Sequence, residues 1–237
     1  LGMYNGRTVV YRLRNNIKLL IRGGTTDRNV FNDIVIYEEY SPQGFKINRD
    51  DTVLDIGANI GIFSIYAASK AINGRVYSFE PLKSNFEIFC KNIKFNDFNN
   101  VSAFQEAVSD KNGNQVLMVS EENTGGHSFH IKTRPSQKKI QVKTVSLDSI
   151  ITKNRINKIN FLKCDCEGAE YEIFFNCKKS SLEKIDRIAM EVHNLDEKRN
   201  LSTLRRFLEK NGFRTRSVKI GDGNELNLIY ATRIMRD

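Results

Sequence analysis

The sequence has few cysteines, no long apolar stretch, no internal repeat and no low-complexity linker. Four cysteines in 237 residues are too few for a disulfide framework. No run approaches the ~18 consecutive apolar residues of a membrane span, so we expect no transmembrane helix. No signal peptide is visible, although the chain begins with Leu1. Together with the sparse cysteines, this predicts a cytoplasmic protein.

The composition is that of a folded chain with an uneven charge distribution. Apolar residues make up 40% of the sequence, which excludes intrinsic disorder and a fibrous repeat. The formal net charge is +9, but residues 50–197 carry a net charge of only −1. The surplus lies in residues 1–49 and 198–237, with +4 and +6 respectively. Basic ends permit an anionic partner such as nucleic acid.

The apolar pattern predicts an N-terminal extension, residues 1–49, followed by one domain over 50–237. Residues 8–22 alternate around an Asn-Asn turn and favour a hairpin, and residues 28–40 favour a short helix. From Asp51 onward, strand-like and helix-like segments alternate, which is typical of a mostly parallel sheet with helices on both faces. Strands are expected at 53–56, 76–79, 101–104, 115–119, 139–145, 159–164, 187–192 and 226–234.

A long polar segment and a pair of cysteines interrupt this pattern. Residues 122–137 exceed the usual length of a connection, so they form either a binding loop carrying His127 and His130 or an exposed loop without function. Cys164 and Cys166 are two apart in a strand-like run, which places their side chains on opposite faces. They are therefore expected to be buried apolar groups, without a bridge or a metal.

A glycine turn follows the first buried strand, in the sequence VLDIGANIG at 53–61. Gly57 permits a tight turn, and Gly61 permits close approach of a ligand or of another element. The Gly-x-x-x-Gly spacing differs from the GxGxxG of dinucleotide sites, so no pyrophosphate cradle is implied. Asp55, at the end of the strand, suits the cationic end of a ligand.

The next strand ends in SFEP, with Glu80 about twenty residues beyond the glycine turn. An acidic residue at this place can bind the two hydroxyls of a ribose. A ribose and an amino-acid moiety without pyrophosphate describe S-adenosylmethionine. The alternative is a structural turn with Glu80 as a helix-capping residue.

Further segments make the sequence resemble the FkbM family of S-adenosylmethionine-dependent methyltransferases over roughly residues 25–195. INFLKCDCEGAEYEIF at 159–174 and IAMEVH at 188–193 are the most distinctive. The other segments that carry the resemblance are TTDRNVF at 25–31, VLDIGANIGIFS at 53–64, VYSFEP at 76–81, EAVSD at 106–110 and VKTVSLDSI at 142–150.

The resemblance implies an α/β fold, namely a Rossmann-like class I methyltransferase with a mostly parallel seven-stranded sheet. It implies methyl transfer, commonly to a hydroxyl oxygen of a sugar, glycan or natural product. By position it implies that the methionine part lies near Asp55, Gly57, Ala58, Asn59 and Gly61, the ribose near Glu80 and Pro81, and the adenine near Glu106 and Ala107. The cysteines at 164 and 166 depart from the aliphatic residues that the family often has there.

Candidate catalytic groups end the fourth and fifth strands of the parallel unit. Lys163, Asp165 and Glu167 emerge from a buried strand, where a site role competes with a plain surface ion pair. Asp165 or His193 could remove the proton of an acceptor hydroxyl. Alternatively, Asp165, Glu191 and His193 could bind a divalent metal ion that acidifies that hydroxyl.

Two other functions remain open at this point. A nucleic-acid methyltransferase is suggested by a basic group near the C-terminus, but no RNA-binding module or aromatic stacking platform is visible. That basic group comprises Arg205, Arg206, Arg214, Arg216 and Lys219. A noncatalytic binding module with this fold would have lost its ligand residues, yet those residues are present. The oligomeric state is not predicted.

Overall fold

The computed structural model describes residues 7–119, 138–220 and 226–234. The segment 122–137, with His127 and His130, lies outside the described residues. None of the helices in these three ranges is both long and apolar enough to cross a bilayer.

The described residues form twelve strands and seven α-helices. The strands are β1 (Thr8–Arg12), β2 (Lys18–Arg22), β3 (Thr52–Ile56), β4 (Arg75–Phe79), β5 (Val101–Phe104), β6 (Ala107–Ser109), β7 (Gly113–Val119), β8 (Lys138–Ser146), β9 (Phe161–Cys164), β10 (Arg187–His193), β11 (Phe213–Lys219) and β12 (Leu226–Arg233). The helices are α1 (Asp27–Phe31), α2 (Ile62–Lys70), α3 (Lys83–Phe95), α4 (Leu147–Lys153), α5 (Glu170–Asn176), α6 (Lys179–Leu182) and α7 (Leu201–Lys210).

A seven-stranded sheet forms the centre of the fold, in the order β11-β12-β10-β9-β3-β4-β5. Only β12 runs against its neighbours, so the predicted mostly parallel α/β architecture is confirmed. In the register, Asp55 pairs with both Ser78 and Lys163. The carboxyl ends of β3, β4 and β9 therefore meet at one edge, where open parallel sheets bind ligands.

Alternate residues of the central strands pack into two separate cores. Leu54, Leu162 and Met190 belong to one core, and their neighbours Val53 and Phe161 belong to the other. This division follows from the two-residue period of a strand, and it requires apolar layers on both faces of the sheet. The long apolar runs of β3 and β9 have this origin.

The N-terminal extension shares a core with the rest of the chain. The predicted hairpin is present as β1 and β2, with Asn16 in the left-handed region at φ 65°. Asn92 of α3 accepts a hydrogen bond from the Leu20 amide at 2.6 Å and donates one to the Ile60 carbonyl at 2.8 Å. The hairpin is thereby tied to the helix beside the glycine turn, while the domain boundary at residue 49 stays a prediction.

Three features differ from the sequence prediction. The helix expected over 28–40 is the short α1 followed by a π-helical turn, Asn32–Ile36. A three-stranded sheet in the order β6-β8-β7 lies outside the central sheet. Strand β11 was not predicted, because most of its residues are exposed at the sheet edge and it lacks an apolar stripe.

Candidate active site

A cavity of about 550 Å³ opens at the carboxyl edge of the parallel strands. The glycine turn, the strand ends and the N-terminal extension form its walls. Ten of the predicted site residues line it: Gly57, Ala58, Asn59, Glu80, Pro81, Ala107, Lys163, Asp165, Glu167 and Glu191. Four do not line it: Asp55, Gly61, Glu106 and His193.

The glycine turn has the tight conformation that its sequence predicts. Gly57 has φ +76°, and a Cβ placed there would lie 1.7 Å from the Asp165 carbonyl oxygen. The amides of Gly57 and Ala58 donate to the Phe79 carbonyl at 3.0 and 2.9 Å. Gly61 has φ +84° and lies against the Phe89 ring. Only glycine therefore fits either position, although Gly61 contacts another element rather than the cavity.

Glu80 and Asn59 present acceptor atoms at the cavity wall. The Glu80 carboxylate accepts hydrogen bonds from the amides of Asn59 and Leu82, both at 2.8 Å. Burial raises the pKa of Glu80 to about 7, against the lowering effect of these bonds. The buried Oδ1 of Asn59 has no partner among the described residues. An acidic group and an unsatisfied acceptor fit the hydroxyls and ammonium of S-adenosylmethionine.

Asp55 lies behind the cavity and binds a cation of the protein itself. Its carboxylate accepts a hydrogen bond from Ser64 at 2.6 Å and lies 3.3 Å from the Lys163 ammonium. Lys163 also donates to the Gly57 carbonyl at 2.7 Å. Burial opposes the charge on Lys163, but Asp55 and Asp165 outweigh it and raise its pKa. The predicted pairing of Asp55 with an ammonium group is therefore made inside the protein.

Tyr40, from the N-terminal extension, connects Asp165 with Glu191. Its buried hydroxyl lies 3.2 Å from a carboxylate oxygen of each. Burial and the nearby Asp165 carboxylate raise the pKa of Glu191 well above its ordinary value. The phenol has one hydrogen, so it can donate to only one of the two carboxyl groups at a time. Sequence reasoning missed Tyr40, because no local motif marks a residue that reaches these strand ends from the extension.

His193 is enclosed by carboxylates instead of facing the cavity. Its Nδ1 lies 3.2 Å from Glu170, and its Nε2 lies 3.3 Å from Glu167 and 3.5 Å from Glu191. Burial lowers the pKa of the imidazole, but the hydrogen bonds that it donates to Glu167 and Glu170 outweigh this effect and raise the pKa to about 11. An imidazolium with both nitrogens occupied cannot accept a proton, so this arrangement does not suit the predicted general base.

The predicted metal ligands are held by other partners. Asp165 and Glu191 contact Tyr40, and the His193 ring lies between carboxylates. Within the described ranges, no group of three or more His, Cys, Asp or Glu side chains is arranged to hold a metal ion. These three residues therefore do not form the predicted ligand set.

Cys164 and Cys166 do not point to opposite faces as predicted. Their sulfur atoms are 3.4 Å apart, and both are free thiols. Strand β9 ends at Cys164, and the chain then turns through Glu167 and Gly168, which have φ of 54° and 102°. The two-residue alternation of a strand therefore no longer applies at Cys166, which lines the cavity.

The extension adds two acidic residues to the cavity wall. Asp33 and Glu39 are half-buried, and both line the cavity beside Tyr40. Burial is the largest cause that raises the pKa of Glu39 to about 7, and the negative charges of Asp33 and Asp165 add to it. These residues carry no sequence signal, because only the folded extension brings them to the strand ends.

Comparison with known proteins gives one family and several distant relatives. The family model described as "Methyltransferase FkbM domain" matches residues 55–215. AMB antimetabolite synthetase AmbE of Pseudomonas aeruginosa is 24% identical over 86% of this chain, which spans 11% of that protein. The 31-O-demethyl-FK506 methyltransferase FkbM of Streptomyces tacrolimicus is 24% identical over 83% of this chain and 82% of its own length. Hexuronic acid methyltransferase AglP of Haloferax volcanii is 26% identical over 61% of this chain and 57% of its own length.

Solved structures share the fold at low identity. A methyltransferase FkbM from Methylobacillus flagellatus has a TM-score of 0.56 at 14% identity, covering 80% of this chain and 45% of its own. M. capricolum TrmK, in complex with S-adenosylhomocysteine, has a TM-score of 0.52 at 11% identity, and the match covers 84% of this chain and 67% of that one. Both show the Rossmann-like fold.

Proposed function

This chain belongs to the FkbM family of S-adenosylmethionine-dependent methyltransferases, and we propose that it methylates a hydroxyl oxygen of a sugar, glycan or small natural product. The observation that carries the proposal is the carboxyl pair Asp165 and Glu191, which shares the Tyr40 hydroxyl at the cavity wall. A hydroxyl acceptor must lose a proton, and a cavity-lining carboxylate can take it. Among the relatives, FkbM and AglP are named for 31-O-demethyl-FK506 and for hexuronic acid, respectively.

The cofactor residues of the proposal are those that line the cavity. When bound, S-adenosylmethionine supplies an electrophilic methyl group on a sulfonium. Glu80 and Pro81 would hold the ribose, Asn59 would accept a hydrogen bond through its free Oδ1, and Ala107 would border the adenine. Glu106 lies outside the cavity, which leaves it without a direct role in this proposal.

Asp165 is the proposed general base. Its side chain is 29% exposed and lines the cavity, so an acceptor hydroxyl can approach it. Lys163, 3.7 Å away, and Tyr40 fix its orientation. His193 takes a positioning role, since its bonds to Glu167 and Glu170 hold the end of β10 against the turn after β9. Positioning of the acceptor supplies much of the rate in such a displacement.

The nucleic-acid alternative finds less support in the basic residues near the C-terminus. The Arg216 guanidinium stacks on the Tyr230 ring at 4.3 Å, and Arg205 bonds with Glu209 and Thr215. The cavity, moreover, is lined by acidic residues that repel phosphate. A small hydroxyl acceptor is therefore the proposal.

Calorimetry with S-adenosylhomocysteine tests the cofactor assignment. We expect binding by the wild type, and a loss of affinity of about tenfold or more in Glu80→Gln, because a ribose hydroxyl then loses a charged acceptor. Glu106→Gln is the matched control, since Glu106 does not line the cavity, and it should bind within about twofold of wild type. Equal affinity of both variants would refute the ribose role of Glu80.

A further inference from the structure

The cavity has an excess of acidic groups on the wall formed by the extension. Asp33 and Glu39 line this wall, and neither carboxylate accepts a hydrogen bond from, or pairs with, any described residue. Glu38, which precedes Glu39 in the sequence, differs because it pairs with Lys46 and lies outside the cavity lining. The extension therefore pairs two of its four acids with cations, Asp27 with Arg22 and Glu38 with Lys46, and leaves the other two lining the cavity.

The described residues of the other walls do not supply the missing cation. Six carboxyl groups line the cavity: Asp33, Glu39, Glu80, Asp165, Glu167 and Glu191. Within the described part of the chain, Lys163 is the one Lys or Arg in that lining. Its ammonium is already shared by the Asp55 carboxylate at 3.3 Å and the Gly57 carbonyl at 2.7 Å.

Half-buried carboxylates without a counter-ion are unfavourable in the free protein. Burial raises the pKa of Asp33, and burial with nearby carboxylates raises that of Glu39. Both groups gain from any cation that enters the cavity. The predicted cofactor residues that line the cavity belong to the glycine turn, the end of β4 and the start of β6, and none of them belongs to the extension.

We propose that the methyl acceptor is a hydroxyl-bearing amine, such as an amino sugar, whose ammonium group is bound between Asp33 and Glu39. This inference rests on the proposed function, because it names the acceptor of that same cavity. The ammonium would place the neighbouring hydroxyl toward Asp165, which lies within electrostatic reach of Glu39. Charge complementarity of this kind selects the partner and disfavours anionic acceptors.

The test uses protein saturated with S-adenosylhomocysteine and three matched probes: glucosamine, N-acetylglucosamine and glucuronic acid. We expect glucosamine to bind at least about tenfold more tightly than either of the others. The double variant Asp33→Asn/Glu39→Gln should lose that preference while its affinity for S-adenosylhomocysteine stays within about twofold. Glu38→Gln, one residue from Glu39 but outside the cavity lining, should retain the preference.

Each other outcome overturns the inference. Equal binding of glucosamine and N-acetylglucosamine, tighter binding of glucuronic acid, undetectable glucosamine binding, or an unaltered double variant would each contradict an ammonium site. The titration with S-adenosylhomocysteine precedes the probes. If the wild type does not bind it, that result contradicts the proposed function and not the ammonium site.

Discussion

The backbone at Gly57 shows how much a single residue position constrains this site. Two effects act there, a left-handed conformation with φ +76° and the proximity of the Asp165 carbonyl. The motif predicts the first from sequence, because a strand that turns into a helix within a few residues requires glycine. The second depends on β9, which follows β3 by about a hundred residues and could not be predicted from a local pattern.

Gly57→Ala should therefore destabilise the protein strongly. We expect a loss of about 3 kcal/mol or more, because the new methyl group would overlap a backbone oxygen that cannot move easily. Gly44→Ala is the control, since Gly44 has φ +80° with nothing within 4 Å of an added Cβ. It should cost only about 1–2 kcal/mol from the conformation alone. Urea denaturation measures both, and equal losses would contradict the steric account.

The acidic pair in the extension predicts a pH dependence of stability. The pKa of Glu39 is raised to about 7. Its contribution to the stability of the protein is therefore fully present below its ordinary pKa and is lost as the pH rises through about 7. Glu39→Gln should therefore be more stable than wild type at about pH 8, by about 1 kcal/mol after allowance for solvent screening. The difference should vanish at about pH 4, where Glu39 is protonated in both states.

Glu38→Gln should change the stability at about pH 8 in the opposite direction. The hydrogen bond with Lys46 lowers the pKa of Glu38, so its contribution is present above its ordinary pKa and is lost as the pH falls. This variant should be slightly less stable than wild type at about pH 8, by at most about 1 kcal/mol for a half-exposed pair. Thermal unfolding across pH measures both variants. A change in stability of the same sign for both would contradict the difference between the paired Glu38 and the unpaired Glu39.

Among the elements, the strand-helix alternation was predictable and the contacts between distant elements were not. β3, α2, β4 and α3 follow apolar periods that can be read locally. Asn92 is one of the residues that tie the extension to α3, and nothing in the sequence indicates that its side chain bonds β2. The π-helical turn after α1 likewise carries no local signal, yet it brings Glu39 and Tyr40 to the cavity.

Removal of the Asn92 side chain should loosen the extension. Asn92→Ala leaves the Leu20 amide and the Ile60 carbonyl without this partner in a buried place, with an expected loss of about 2–4 kcal/mol. Asn99→Ala, at an exposed position shortly after α3, should change stability by less than about 0.5 kcal/mol. Hydrogen exchange of the β2 amides should increase in the first variant only. Unchanged exchange would mean that the hairpin is held without Asn92, by apolar packing and by the hydrogen bonds between Asn96 and Lys18.

At the scale of the whole molecule, net charge and local charge differ in sign. The chain carries +9, whereas six carboxyl groups and a single described Lys or Arg line its cavity. The composition therefore gave no indication of the acidic site, because the basic surplus lies at the ends of the chain. The fold class followed from local periodicity and the family resemblance. The contacts of Asp55 and His193 did not follow, since each depends on partners from other elements.

Methyl transfer from labelled S-adenosylmethionine to a cell extract, with and without nuclease, tests the central claim most directly. The wild type should label a nuclease-resistant, alkali-stable fraction, as expected for a methyl ether. Asp165→Asn should transfer about 100-fold less while still binding S-adenosylhomocysteine, because the acceptor hydroxyl loses its base. Label that disappears with nuclease, or equal transfer by Asp165→Asn, would contradict the account.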